Sequence, residues 1–178
     1  MVQKSVFFFA VLLLTFFSSA CSDDDNSSSE PEIPATISFN GISPVDVQGA
    51  PVAAPDPTDW KLTDGWTSTE ENLFGTEQLA LCSPNPDFEV FPAYPNPCMD
   101  ILSLSLKAVP QYSLDLRLVD SEYTLLFLLN NLALDTISAF QIDLNQAQAS
   151  PGDTLRLYYR IRGEDCQFQG HGDILFNP

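Results

Sequence analysis

The chain has 178 residues, 44% apolar and 17% charged, with 7 Lys and Arg against 24 Asp and Glu for a net charge of −17 at pH 7. That apolar share excludes wholesale disorder, and a chain of this length buries about 70% of its unfolded surface, enough for a core without a metal or disulfide. So acidic a surface repels a phosphate backbone, which removes nucleic acid from the expected partners.

The amino terminus reads as an address. Lys4 is followed by a run from Val6 to Phe17 that is apolar apart from Thr15, then by Ser18, Ser19 and Ala20 before Cys21. Twelve residues of helix reach only about 18 Å, short of the ~30 Å hydrocarbon core of a bilayer. Residues 1–20 are therefore expected to be a cleaved secretory signal rather than a span. Ser18-Ser19-Ala20-Cys21 resembles the lipobox of bacterial lipoproteins. The resemblance implies acyl chains on Cys21 and hence a membrane partner, since two or more chains make a stable anchor.

Directly after Cys21 stand Ser22, Asp23, Asp24 and Asp25, then Asn26, three serines and Glu30. By composition, residues 21–35 form a solvated tether kept extended by charge. The acidic run also resembles the export signal that places Bacteroidetes lipoproteins on the outer face of the outer membrane. Display at the cell surface is what that resemblance implies.

Residues 36–87 predict an irregular extension. Asn40-Gly41 and Gln48-Gly49 are turn signals, and Pro44, Pro51, Pro55 and Pro57 forbid a central strand. Ile37 to Phe39 fits a short edge strand, and the spacing of Ser68 and Glu71 fits a capping box that starts a short helix near Thr69. Trp60, Trp66, Leu73 and Phe74 are too apolar for a free linker and are expected to dock the extension on the domain that follows.

Residues 88–178 change to strand-length runs. Leu102, Leu104 and Leu106 alternate with polar residues, as do Leu114, Leu116 and Leu118, which is the period of a half-buried strand. Further runs at Phe88–Phe91, Tyr123–Leu129, Ile137–Leu144, Leu155–Ile161 and Ile174–Phe176 bring the count to about seven. Short strands without helical periodicity predict an all-β protein, an antiparallel immunoglobulin-like β-sandwich.

Tyr94-Pro95-Asn96-Pro97, followed by Asp100-Ile101-Leu102, then Leu116 to Asp120, Ile142 to Leu144 and Gly152 to Leu157, resembles the carboxy-terminal sorting domain of type IX secretion. The resemblance implies a compact seven-stranded sandwich opened by Tyr94, Pro95, Asn96 and Pro97. Ser121-Glu122 stand where that family carries a glycine after the aspartate, and the chain lacks its basic final strand. The domain is accordingly read as a relative kept as a structural module. As residues, Pro95 and Pro97 fix φ and hold their predecessors extended, giving a stiff approach to the first long strand.

Candidate chemistry is sparse. With Cys21 acylated, Cys82, Cys98 and Cys166 allow one disulfide of three pairings, and Cys82 with Cys98 closes the short loop. No Cys-x-x-Cys occurs, so neither a redox pair nor a zinc site is expected. His171, flanked by Gly170 and Gly172 near Cys166, reads as a turn between final strands; a Cys166 nucleophile or a metal at His171 and Asp173 is the alternative. Asp56, Asp59, Asp64, Glu70 and Glu71 do not follow calcium-loop spacing and read as a solvated acidic face. Arg117, Arg156, Arg160 and Arg162 are expected to pair across strands with Asp115 and similar carboxylates, an anion-binding patch being the alternative. Asp135-Thr136-Ile137 and Asp153-Thr154-Leu155 resemble a short O-glycan acceptor of exported Bacteroidetes proteins.

No paired carboxylates, nucleophile elbow, phosphate loop or metal spacing is present, so no catalytic residue, metal or cofactor is expected. The expected function is a non-catalytic outer-membrane lipoprotein that displays an interaction or structural module to a protein or glycan partner. The alternatives are a type IX cargo whose sandwich is its sorting domain, and a glycan-binding module built on an exposed aromatic patch at Trp60 and Trp66.

Overall fold

The structure, a computed structural model, describes residues 35–77, 79–83, 87–108 and 111–177. The fold is all-β, a sandwich of two sheets whose long neighbours run antiparallel. The longest strands are β4 (Ile101–Lys107), β5 (Ser113–Val119), β6 (Leu125–Ala133), β7 (Ile137–Asp143), β8 (Thr154–Arg162) and β9 (Cys166–Leu175). Three two-residue strands complete the set among the described residues: β1 (Lys61–Leu62), β2 (Ala80–Leu81) and β3 (Glu89–Val90). The large sheet runs β1-β9-β8-β5-β6, with β2 also on β9, and the small sheet runs β3-β4-β7.

Strict alternation makes the core. Leu102, Leu104 and Leu106 of β4 and Leu114, Leu116 and Leu118 of β5 are fully buried, and Leu155, Leu157, Tyr159 and Ile161 of β8 meet them. Each such side chain contributes about 1.5–3 kcal/mol by leaving water, so these ten residues define the inward faces.

Four local expectations are corrected. The two short strands β1 and β2 of the extension pair with β9, so it is not wholly irregular. Ile37 to Phe39 forms no strand; Ile37 makes a single backbone bond to Ser121. The helix α1 spans Ser68–Asn72, and its capping box is Thr67 with Glu70, one residue before the expected pair. Both pairs have the right spacing, but Glu70 is drawn inward because its Oε1 accepts from Tyr158 Oη at 2.8 Å while its Oε2 accepts from Thr67 N–H. Finally, β6 runs past the expected end at Leu129, through Asn130 and Asn131, which form a bulge: Asn131 sits at φ 53°, and its N–H donates to Asp115 Oδ1 at 2.7 Å.

The last strand is also longer than its sequence suggests. It begins at Cys166, so His171 lies mid-strand and not in a turn. The flanking glycines face inward, where a Cβ on Gly172 would overlap the Trp60 ring and one on Gly170 would overlap Tyr159 and the Lys61 carbonyl. Glycine is used here for close packing.

Candidate functional site

Cys21, Ser22, Asp23, Asp24 and Asp25 lie outside the described residues. Most of the other candidate residues lie on the outer face of the large sheet or at the two ends of β9, whereas Asp135, Thr136 and Ile137 lie at the start of β7.

On the outer face, the strand register sets charged residues side by side. Asp115 lies opposite Arg160 and Asp173 opposite Arg156. Arg160 donates to Asp115 Oδ2 through Nε and Nη2 at 3.1 and 2.9 Å, and Arg162 reaches the same carboxylate. Arg156 holds Asp173 with two bonds of 2.6 and 2.7 Å. Burial alone would lower the pKa of the Arg156 guanidinium, but the bonds and charge of Asp173 outweigh it and the pKa is raised. The expected cross-strand pairing with Asp115 is thus present.

The extension is clamped over this face by the same arginines. Arg117 and Arg160 each set a guanidinium 4.8 Å from the Phe74 ring centre, and Phe74 stacks on Trp66 at 4.9 Å, which in turn meets Tyr158 edge-on. Carbonyls beyond the end of α1 need donors, and they find them: Leu73 O accepts from Arg117 Nε at 2.8 Å, and Glu77 O from Arg160 Nη1 at 3.0 Å. Burial lowers the Arg117 pKa. Tyr158 is fully buried, so desolvation and its bond to Glu70 push its phenol well above the usual range. Arg117 and Arg160 are buried, with their donors turned to carbonyls, Asn130 and Asp115, so the anion-binding alternative loses its reagents.

Beside this clamp lies a buried acid. Asp59 is 4% exposed, its Oδ1 accepts the Asp173 N–H at 3.0 Å, and the Ser43 hydroxyl is its other neighbouring donor. Burial first, then the negative charge of Asp173, raise its pKa to about 6. Asp56, in contrast, is lowered, chiefly by the Thr58 hydroxyl and backbone N–H. His171 faces outward near Tyr158, and burial followed by the Arg156 charge lowers its pKa.

At the lower end of β9, the tetrapeptide is a staple. Tyr94 exchanges backbone bonds with Ser103 and Asn96 exchanges them with Val45. The fully buried Asn96 side chain donates to Ser43 O and Asp173 O and accepts from Leu175 N–H, tying the extension, β4 and β9 together. Pro95 and Pro97 both follow cis peptide bonds.

The disulfide expectation is corrected: Cys82 is bonded to Cys166, and Cys98 is a buried free thiol whose pKa burial raises. The reason is the length of β9. Cys82 follows β2, which lies beside Cys166 at the start of β9, whereas Cys98 pairs with Phe176 just past its end. Ten residues at about 3.3 Å separate those places by roughly 30 Å. With its sulfur bonded, Cys166 carries no thiolate for a Cys/His reaction.

The aromatic patch is not an open platform. Trp60 is buried against Gly172, and the half-buried Trp66 is spent on Phe74 and Tyr158. Among the clefts of the described residues, one of about 430 Å³ lies between Phe39, Asp120 to Glu122 and Gly152 to Thr154, and one of about 290 Å³ lies between β1 and β2 beside the disulfide. The first is lined by carboxylates, and the second by Leu62, Leu81, Phe168 and amides. Sequence reasoning missed Asp59, Glu70 and Asn96 as joints between the extension and the sandwich, since each takes a hydrogen-bond partner from a residue more than 50 positions away. No protein-family model, curated protein or solved structure matches the chain.

Proposed function

We propose that this chain is a non-catalytic outer-membrane lipoprotein, anchored through acyl chains on Cys21 and displaying its sandwich at the cell surface as an interaction or structural module. The observation that carries the reading is the order of the first 30 residues: Lys4, the apolar run, Ser18-Ser19-Ala20-Cys21, then Asp23, Asp24 and Asp25. The clamp agrees with a structural role, because its buried charged groups are consumed by partners rather than aimed into a cleft.

The cargo alternative draws on Tyr94, Pro95, Asn96 and Pro97. The resemblance implies a compact sandwich that begins at this tetrapeptide. Here β1 and β2 of the extension complete the large sheet and Cys82 is bonded to Cys166, which favours one anchored module over a detachable signal.

The test labels cells with an alkyne fatty acid and compares wild type with Cys21→Ala. Labelling is expected only in the wild type. Replacement of Asp23, Asp24 and Asp25 by alanine is expected to leave acylation intact while protecting the protein from protease added to whole cells. Equal labelling of wild type and Cys21→Ala would refute the anchor, and unchanged protease access in the alanine variant would refute the role of the acidic run.

A further inference from the structure

The four sheet borders are treated differently by the fold. The free side of β9 is covered by β1 and β2, β6 is bulged at Asn130 and Asn131, and β3 is only two residues long. Short strands, bulges and covers are the usual protections of an edge. Among the described residues, strand β7 has none of them. It pairs with β4 in unbroken register over seven residues, from Ile137 opposite Lys107 to Asp143 opposite Ile101.

Its free backbone groups can be assigned. Bonds from Ala108 N–H to Thr136 O and from Leu144 N–H to Asp100 O, at the two ends of the ladder, place the bonded pairs at even-numbered residues of β7. The N–H and C=O of Ile137, Ala139 and Gln141 therefore point away from β4, and none of them has a partner among the described residues. All three residues are exposed, Ile137 by 74%, the largest value among the exposed large hydrophobics.

We infer that β7 is a docking edge for a second copy of this chain, joined antiparallel about a two-fold axis at Phe140. The argument for that occupant is charge. The outward row of β4 and β7 carries Lys107 beside Ile137 at one end and Ile101 beside Asp143 at the other. The two-fold sets Ile137 opposite Asp143 of the second copy. Lys107 then lies two strand spacings, about 9.6 Å, from that carboxylate, within reach of its long side chain laid over Ile137. The contact occurs twice by symmetry. On the core-facing side the half-buried Phe140 rings of the two copies meet at the axis, an aromatic cross-strand pair. The row is self-complementary in a molecule whose remaining charge is strongly negative. This inference goes beyond the proposed display role and does not depend on the anchor.

The register makes a covalent test. Ala139 and Gln141 of the second copy form a hydrogen-bonded pair with Cα atoms about 5.5 Å apart, within disulfide reach. The full chain carrying both Ala139→Cys and Gln141→Cys, mildly oxidised with copper phenanthroline, is expected to give a covalent dimer on non-reducing gels at roughly tenfold the yield of either single variant. Lys107→Glu should lower that yield about threefold, and adding Asp143→Lys should restore it. Both cysteine positions are exposed, so the variants keep the core; Cys21 is replaced by serine in every variant, and Cys98 is buried. Equal yields from single and double variants, or no dimer while both new thiols react with maleimide, would overturn the inference. So would sedimentation velocity of the wild-type chain showing only monomer up to about 200 µM, far above a Kd in the micromolar range.

Discussion

Asp59→Asn is expected to stabilise this protein, and only above a defined pH. The Asp59 carboxyl is 4% exposed and its folded pKa is about 6 against an ordinary value of 3.8. Between those values the native protein holds a proton that the unfolded chain has released, so stability falls as pH rises through that window and levels off above about 6. A shift of about two units corresponds to about 3 kcal/mol, all of it present as a penalty at pH 7 and absent below about pH 4. The asparagine keeps a carbonyl oxygen for the Asp173 N–H and removes the ionisation, at the cost of one unpartnered amide, about 1 kcal/mol. That amide cost is the same at every pH. The stability difference between variant and wild type is therefore the discriminating quantity, and it should rise by about 2–3 kcal/mol between pH 4 and pH 7. Urea unfolding of both proteins at pH 4, 5, 6 and 7 measures it. A difference that stays constant across that range would refute the assignment of a buried, penalised carboxylate beside Asp173.

Replacing Cys82 and Cys166 by serine frees a loop defined by a separation of 84 residues, which costs about 4–5 kcal/mol in the chain-entropy model, read by denaturant midpoint. The same change at Cys98 should leave the disulfide map unaltered in non-reduced peptide mass spectra. Phe74→Ala removes the ring that Arg117 and Arg160 contact and is expected to cost about 3–5 kcal/mol, with amide exchange rising first in residues 66–75. Asn96→Ala leaves the carbonyls of Ser43 and Asp173 and the N–H of Leu175 without their bonds and should cost about 2–3 kcal/mol by thermal unfolding.

Where one face of a strand is buried and the other wet, composition alone carries the answer. Leu102, Leu104 and Leu106 alternate with wetter positions because a period of two fills one side of a sheet, and the all-β sandwich follows from such runs; Leu114, Leu116 and Leu118 show the same period, but β5 is buried on both faces, because the extension covers its outward Asp115 and Arg117. The partnership of Asp115 with arginines of β8 was legible for the same reason, since outward polar positions on neighbouring strands must face one another. Docking of the extension through Trp60, Trp66, Leu73 and Phe74 was legible from apolarity that a free linker would leave in water.

Tertiary structure decided the rest. The strand from Cys166 to Leu175 shows no apolar alternation, because its inward positions at Gly170 and Gly172 are emptied to admit Tyr159 and Trp60, residues supplied by β8 and the extension. The choice of Thr67 over Ser68 as helix cap was made by Tyr158, 88 positions from the Glu70 it holds. Cys82 bonds Cys166 and not the nearer Cys98 because β2 lies beside the start of β9, and distance along a chain does not measure distance in a sheet whose strands run some 30 Å. Local pattern determines which face of a segment is buried; what buries it, and which distant polar group completes its hydrogen bonds, exists only once the sheets have closed on each other.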